Sequence, residues 1–299
     1  ILTFIKIFFL IIFEIVSFIG ILGNGFIIVV NGHKWFQSRK MIPSDFLLTS
    51  LSTSRFIMQL SLLINYVLLF SLKNNFRFAV EDAYTLITWT FMNMASLWSA
   101  TWLSVFYCVK VANFTNCFFL CLKPRINMLV PRLLGMSIVI SSIFSVPSVI
   151  EYLGQIRGGN LTVILSLNVS QNESYIKPLF HLQLTYTSIN VCISIIASSL
   201  LLASLWKHTR NLKKSGLGSK DLSTQVHKNV IIVVFSFVFF YLAYFTASII
   251  AASDVFKPHR PEFLIVDVLA TSFPSTHCIV LILTNPKLKE MAARILNIR

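Results

Sequence analysis

Seven apolar runs, each about 20 to 30 residues long and parted by short loops that gather most of the charge, constrain this chain more than any other feature. Only 12% of its 299 residues are charged against 56% hydrophobic, so a soluble globule would lack the polar surface to cover its core. Hydrocarbon offers no partner to a backbone N–H or C=O, and the runs are continuous rather than alternating decamers, so each span is a helix and not a barrel strand. The predicted spans are Thr3–Val30, Pro43–Phe70, Ala83–Ala112, Met128–Ile150, Pro178–Trp206, Asn229–Ala252 and Glu262–Thr284. The fold class is therefore an all-α membrane protein. A seven-transmembrane helix bundle occupies residues 1–284, and a short amphipathic cytosolic tail occupies 285–299.

Charge sets the orientation. Lys34, Arg39 and Lys40 follow span one, Lys123, Arg125 and Arg132 follow span three, and Lys207, Arg210, Lys213, Lys214, Lys220 and Lys228 follow span five. The tail adds Lys287, Lys289, Arg294 and Arg299, whereas the alternate loops balance their few cations with acids. The positive-inside rule then puts the N-terminus outside and the C-terminus in the cytosol. Three acceptor sequons, at Asn160, Asn168 and Asn172, fall in the loop assigned outside, where glycosylation is expected, while the sequon at Asn113 falls inside and should stay bare. A formal charge of +14 raises the question of nucleic acid, but cations placed between apolar runs act as topology signals, and no such partner is expected. None of the five cysteines, Cys108, Cys117, Cys121, Cys192 and Cys278, lies in the outer loop 151–177 or at the outer end of span three, so they read as reduced thiols. The first run is too long, and lacks the small-residue cleavage site, for a removable signal peptide.

Polar residues at membrane depth are the informative exceptions. Arginine in mid-membrane costs about 2.5 to 3.5 kcal/mol even on the lenient insertion scale, so Arg55 in span two needs partners. Side chains lean toward the helix N-terminus, here the cytosolic end, which aims the guanidinium at the level of Asn24 and His277. The expectation is a buried polar layer of Asn24, Arg55 and His277 with Ser54 and Ser275 nearby, serving either as static glue between helices or as a contact broken on activation. Glu14 and Asp267 are the other charges at depth, and Asp267 stands level with an outer cavity, where it is either a ligand contact or simply hydrated.

The stretch Leu97–Ile126 carries both ends of a signalling part on one helix. Trp98 and Trp102 are four residues apart and share a face, as cage or as packing, while Tyr107 and Lys110 lie further along where the basic loop begins. Asn93, Tyr241 and Tyr244 are candidates to complete a mostly apolar ligand pocket. The basic loop 206–228 is either a docking surface for a partner protein or a solvated topology loop, with its ends extending spans five and six into the cytosol. In the tail, Leu288, Met291, Ile295 and Ile298 recur at helical spacing opposite cations, the pattern of a helix lying on the lipid of the inner leaflet. No HExxH, GxSxG, phosphate-cradling glycine loop or Cys/His metal spacing is present, so neither an enzyme nor a metal or other cofactor is expected.

Five motifs stand in order along the chain: Gly20-Ile-Leu-Gly-Asn24-Gly-Phe-Ile, Leu48-Thr-Ser-Leu51-Ser-Thr-Ser54-Arg55, Leu103-Ser-Val-Phe-Tyr107-Cys-Val-Lys110-Val-Ala-Asn113-Phe, Ser204-Leu-Trp-Lys-His208-Thr-Arg210, and Pro274-Ser-Thr-His277 running on to Asn285-Pro-Lys-Leu-Lys289. Together they resemble the type 2 (bitter) taste receptors, a family of seven-helix G-protein-coupled receptors. Cys278 departs from the usual Ser, and Ser52 from a common small apolar residue. The resemblance implies recognition of bitter small molecules among spans two, three, five, six and seven, with Trp98 at a frequent pocket position. It also implies coupling to a heterotrimeric G protein of the gustducin type through inner-face residues, Tyr107, Lys110, His208 and Arg210 among them. The rival within receptors is a vomeronasal-type pheromone receptor, disfavoured by the missing outer cysteines. The rival outside them is a small-solute transporter or channel, disfavoured by seven spans that do not halve and by few acids.

Overall fold

The computed structural model describes residues 2–71, 75–111, 117–158, 169–214, 222–253 and 261–296. Eight helices follow in chain order: α1 (Leu2–Ser38), α2 (Pro43–Ser71), α3 (Asn75–Val111), α4 (Cys117–Gly158), α5 (Val169–Lys214), α6 (Leu222–Ala252), α7 (Pro261–Thr284) and α8 (Pro286–Ile295). There is no strand among the described residues. The chain turns between α1 and α2 at Arg39, whose φ of 53° is left-handed and whose N–H caps the Trp35 carbonyl at 2.8 Å.

The helices close a ring. Helix α1 packs on α2 and α7, α2 on α3, α3 on α4 and α5, α5 on α6, and α6 on α7. Among the described residues five helices are long and apolar enough to cross a membrane, and α7 passes with α8 as a pair bent by 92°. Helix α3 is not one of the five. Enclosed by α2, α4 and α5, it replaces lipid-facing apolar side chains with buried Thr90, Asn93, Ser96, Ser99 and Thr101. In a bilayer such small polar residues bring helices close and bond across the gap, because lipid tails compete on equal terms with any leucine.

Helix ends differ from the predicted spans. Lys123 and Arg125, which precede the predicted span Met128–Ile150, lie on α4, and residues 151–158 and 169–177 of the predicted outer loop belong to α4 and α5. Hydropathy marks where lipid ends, whereas a helix continues into water until something stops it. Helix α5 accordingly runs to Lys214 and α6 starts at Leu222. Helix α8 begins at a defined stop, where the Asn285 side chain accepts from the N–H groups of Lys287 and Leu288, and Pro286 fills the first position.

Two glycines set the approach of α1. A Cβ on Gly20 would collide with the side-chain ends of Gln59 and Ser275, and one on Gly23 with the Cys278 sulfur. The Gly23→Ala substitution should therefore lower stability by about 1 to 3 kcal/mol. Adding Cys278→Ala, which removes the colliding Sγ, should recover most of that loss. Thermal unfolding of the detergent-solubilised protein reads both, and additive losses in the double variant would show that the contact is not what Gly23 protects.

Candidate functional site

Arg55 is fully buried on α2, and its contacts define the centre of the bundle. Its Nε donates to Ser96 Oγ on α3 at 3.1 Å, its Nη1 lies 2.9 Å from His277 Nδ1 on α7, and its guanidinium carbon stands 4.8 Å from the centroid of the Phe273 ring. A guanidinium only donates, so His277 accepts on Nδ1 and carries its proton on Nε2. One side chain thus ties α2 to α3 and to α7.

Asn24 belongs to an adjoining circuit rather than to Arg55 itself, which corrects the expected single layer. Its amide donates to the Gly20 carbonyl at 2.8 Å and to Gln59 Oε1 at 3.5 Å. Gln59 then donates to Ser275 Oγ at 2.8 Å, and Ser275 to the Val16 carbonyl at 2.8 Å. Gln59 sits one turn beyond Arg55 on α2, so the two residues carry parallel ties to α7. Ser54 bonds back to its own helix, at the carbonyls of Ser50 and Leu51.

An aromatic column rises from this layer. The Phe273 ring stacks on His277 at 5.9 Å and on Tyr241 at 5.6 Å with only 7° between the latter planes. Tyr241 adjoins Tyr244 at 6.4 Å, and Phe237 closes the side against His277 at 5.4 Å. At the top the Tyr244 hydroxyl accepts from Asn93 Nδ2 on α3 at 2.7 Å and from Gln183 Nε2 on α5 at 3.2 Å. Three of the candidate pocket residues, Asn93, Tyr241 and Tyr244, are therefore brought together, and Gln183 joins them. Below, Thr101 joins α3 to Asn190 and Ser194 of α5 at 2.8 and 3.1 Å.

The two tryptophans point to a different neighbour. Their rings stack at 6.1 Å, and each indole N–H donates to α4: Trp98 to Ser141 at 2.9 Å, and Trp102 to Ser137 at 3.1 Å. Both pairs of residues are spaced by four, so the pairing runs as a ladder along the α3–α4 seam. The side chain of Asp267 lies outside the described residues, as do those of His208 and Asn172. Asn160 and Asn168 lie outside them altogether.

At the other end of the bundle Lys110 is exposed, donates to Asn127 on α4 at 3.3 Å and lies 5.9 Å from the Phe106 ring, with Tyr107 half-buried beside it. Arg210 is exposed near the end of α5. Asp45, in the first turn of α2, pairs with Lys34 of α1 and Lys287 of α8, each at 3.4 Å. Lys287 also donates to Asn31 at 2.7 Å, and Asn31 to Thr49 at 3.2 Å, which holds α8 against α1 and α2. Leu288 is fully buried beneath this cluster, while Ile295 remains exposed. Gln59, Ser96, Gln183 and Phe273 were missed from the sequence. Gln59 carried a signal, being a mid-span amide one turn from Arg55, but a serine or phenylalanine in an apolar run carries none.

The family model for taste receptor proteins (TAS2R) matches residues 1–299. Taste receptor type 2 member 7 of Mus musculus is 33% identical over 94% of this chain and 91% of its own length. Member 3 of Papio hamadryas is 34% identical over 91% and 87%, and member 40 of Gallus gallus 32% identical over 94% and 91%. A chain that matches the family from end to end, with an all-helical bundle and apolar membrane-crossing helices, belongs to the taste receptor type 2 family, the multi-pass G-protein-coupled receptors of taste, and is not an enzyme.

Proposed function

We propose that this receptor senses bitter small molecules in a cleft among α2, α3, α5, α6 and α7 that opens outward, and passes occupancy to a gustducin-type G protein at the cytosolic face. The observation that supports this most is the unbroken chain of contacts from Asn93 and Gln183 through Tyr244, Tyr241 and Phe273 to His277 and Arg55. It starts at polar groups suited to a ligand and ends at a buried charge shared by three helices. A ligand competing for the Tyr244 hydroxyl disturbs the head of the column, and rings stacked this closely respond by moving together.

Asn93, Tyr241 and Tyr244 meet the ligand with Asp267 at the rim. Trp98 and Trp102, their N–H groups engaged by α4, offer ring faces and hold the wall. Asn24, Arg55 and His277 form the layer that rearranges, and Tyr107, Lys110, His208 and Arg210 meet the G protein. The N-terminus is extracellular, the loop bearing Asn160, Asn168 and Asn172 is glycosylated, and α8 rests on inner-leaflet lipid.

Cells given a chimeric G protein with a gustducin tail and challenged with a panel of bitter compounds test this reading: an agonist should evoke a calcium rise that vanishes without the chimera. Flux of a solute with no dependence on G protein would end it. The Tyr244→Phe substitution removes the acceptor shared by Asn93 and Gln183, and should shift agonist potency by about 5 to 30-fold, or about 1 to 2 kcal/mol, at unchanged surface level. The Arg55→Ala substitution should abolish signalling or surface expression, and a variant that keeps both leaves the buried layer without a role.

A further inference from the structure

The contacts of Arg55 are incomplete in a specific way. Its guanidinium is permanently charged, yet every partner it has is neutral: the Ser96 hydroxyl, His277 accepting through Nδ1, and the face of Phe273. Its Nη2 is buried and has no hydrogen-bond partner. No carboxylate lies within ion-pair distance of it among the described residues. Glu14 stands six residues outward of Gly20, which is level with Gln59, and Arg55 is a further turn inward, so about 15 Å of helix separates them. Asp267 is ten residues from His277 along α7, about 15 Å by the same rise. The Cys278 thiol donates to the Ser275 carbonyl at 2.9 Å, so it is protonated and supplies no charge.

A second orphan lies one turn away. Ser52 precedes Arg55 by three residues on the same side of α2, is fully buried, and its hydroxyl has no partner. Arginine on a helix leans over the turn before it, toward Ser52. A water molecule would satisfy these donors but leave a full positive charge in hydrocarbon, which costs several kcal/mol. An acceptor that carries one negative charge satisfies both the donors and the charge. In the close-packed middle of the bundle it must also be small.

We propose that Arg55 Nη2 and the Ser52 hydroxyl form a binding site for a small monovalent anion, chloride by chemistry, buried between α2, α3 and α7. The anion is the counter-ion of Arg55, and it stabilises the arrangement in which Arg55 engages Ser96 and His277. The site is independent of which compounds the receptor senses.

Purified receptor in detergent, unfolded thermally while chloride is exchanged for gluconate at fixed pH and ionic strength, tests it. Stability should rise saturably with chloride, by about 3 °C at ten times the half-saturating concentration, and bromide should substitute where gluconate does not. The Arg55→Gln substitution removes the charge but retains a donor for Ser96, and should abolish the dependence. Should that variant fail to fold, Ser52→Ala leaves the cation in place and should raise the half-saturating chloride by about tenfold. Equal stability in chloride and gluconate overturns the proposal, as does a chloride effect that persists unchanged in either variant.

Discussion

A charge placed where no water reaches governs this bundle. Helices in lipid gain nothing from hiding leucine from one another, so register and neighbour choice come from the few groups that the bilayer cannot satisfy. Arg55 is the most demanding of these. Its donors reach α3 through Ser96 and α7 through His277, and a rotation of α2 that withdrew it would expose an ion to hydrocarbon. The Gln59 circuit to Asn24 and Ser275 adds α1 one turn away, and this works only because Gly20 and Gly23 let α1 come close. Four helices are thereby fixed by two adjacent turns of α2.

Above that anchor the interactions change character. The rings of Phe273, Tyr241 and Tyr244 are directional but forgiving, each pair contributing about 0.5 to 1.5 kcal/mol beyond its buried area. Hydrogen bonds from Asn93 and Gln183 cap the stack. A stiff, costly contact below and an adjustable one above is an arrangement suited to a receptor. The upper rings have several near-equal arrangements open to them, while the contacts of Arg55 below have few.

How much of this the sequence disclosed depended on how rare each residue is in its setting. Arg55 and His277 stand out in apolar spans, and their pairing follows from helix rise and side-chain lean. Asn24 was placed at the right level with the wrong partner, because rise alone cannot tell which of two neighbouring turns of α2 faces α1. The central position of α3 was hidden for the opposite reason: Ser, Thr and Asn made its run less apolar, a property that marks enclosure by protein rather than distance from the membrane. Trp98 and Trp102 stayed ambiguous because their deciding partners, Ser137 and Ser141, look like any serines in a membrane helix. Helix ends, as on α4 ahead of Lys123 and Arg125, are not marked by the apolar runs, because a helix continues until a cap or a break stops it.

The end of the bundle that carries α8 shows why the buried layer matters to what lies below it. An exposed ion pair such as Arg294 with Glu290 contributes little, but Asp45 is largely shielded and is shared by Lys34 and Lys287 while Asn31 takes a further bond from Lys287. Helix α8 is therefore fastened to α1 and α2, although the chain delivers it from α7 through the capped break at Asn285. His277 lies eight residues before that break, about 12 Å of rigid helix. A shift of α7 that loosens His277 from Arg55 works against the fastening of α8, through a bend at Asn285 or through the pair of Lys287 with Asp45. The buried cation and the Asp45 cluster thus hold the two ends of one helix segment, and the geometry of each limits the movement open to the other.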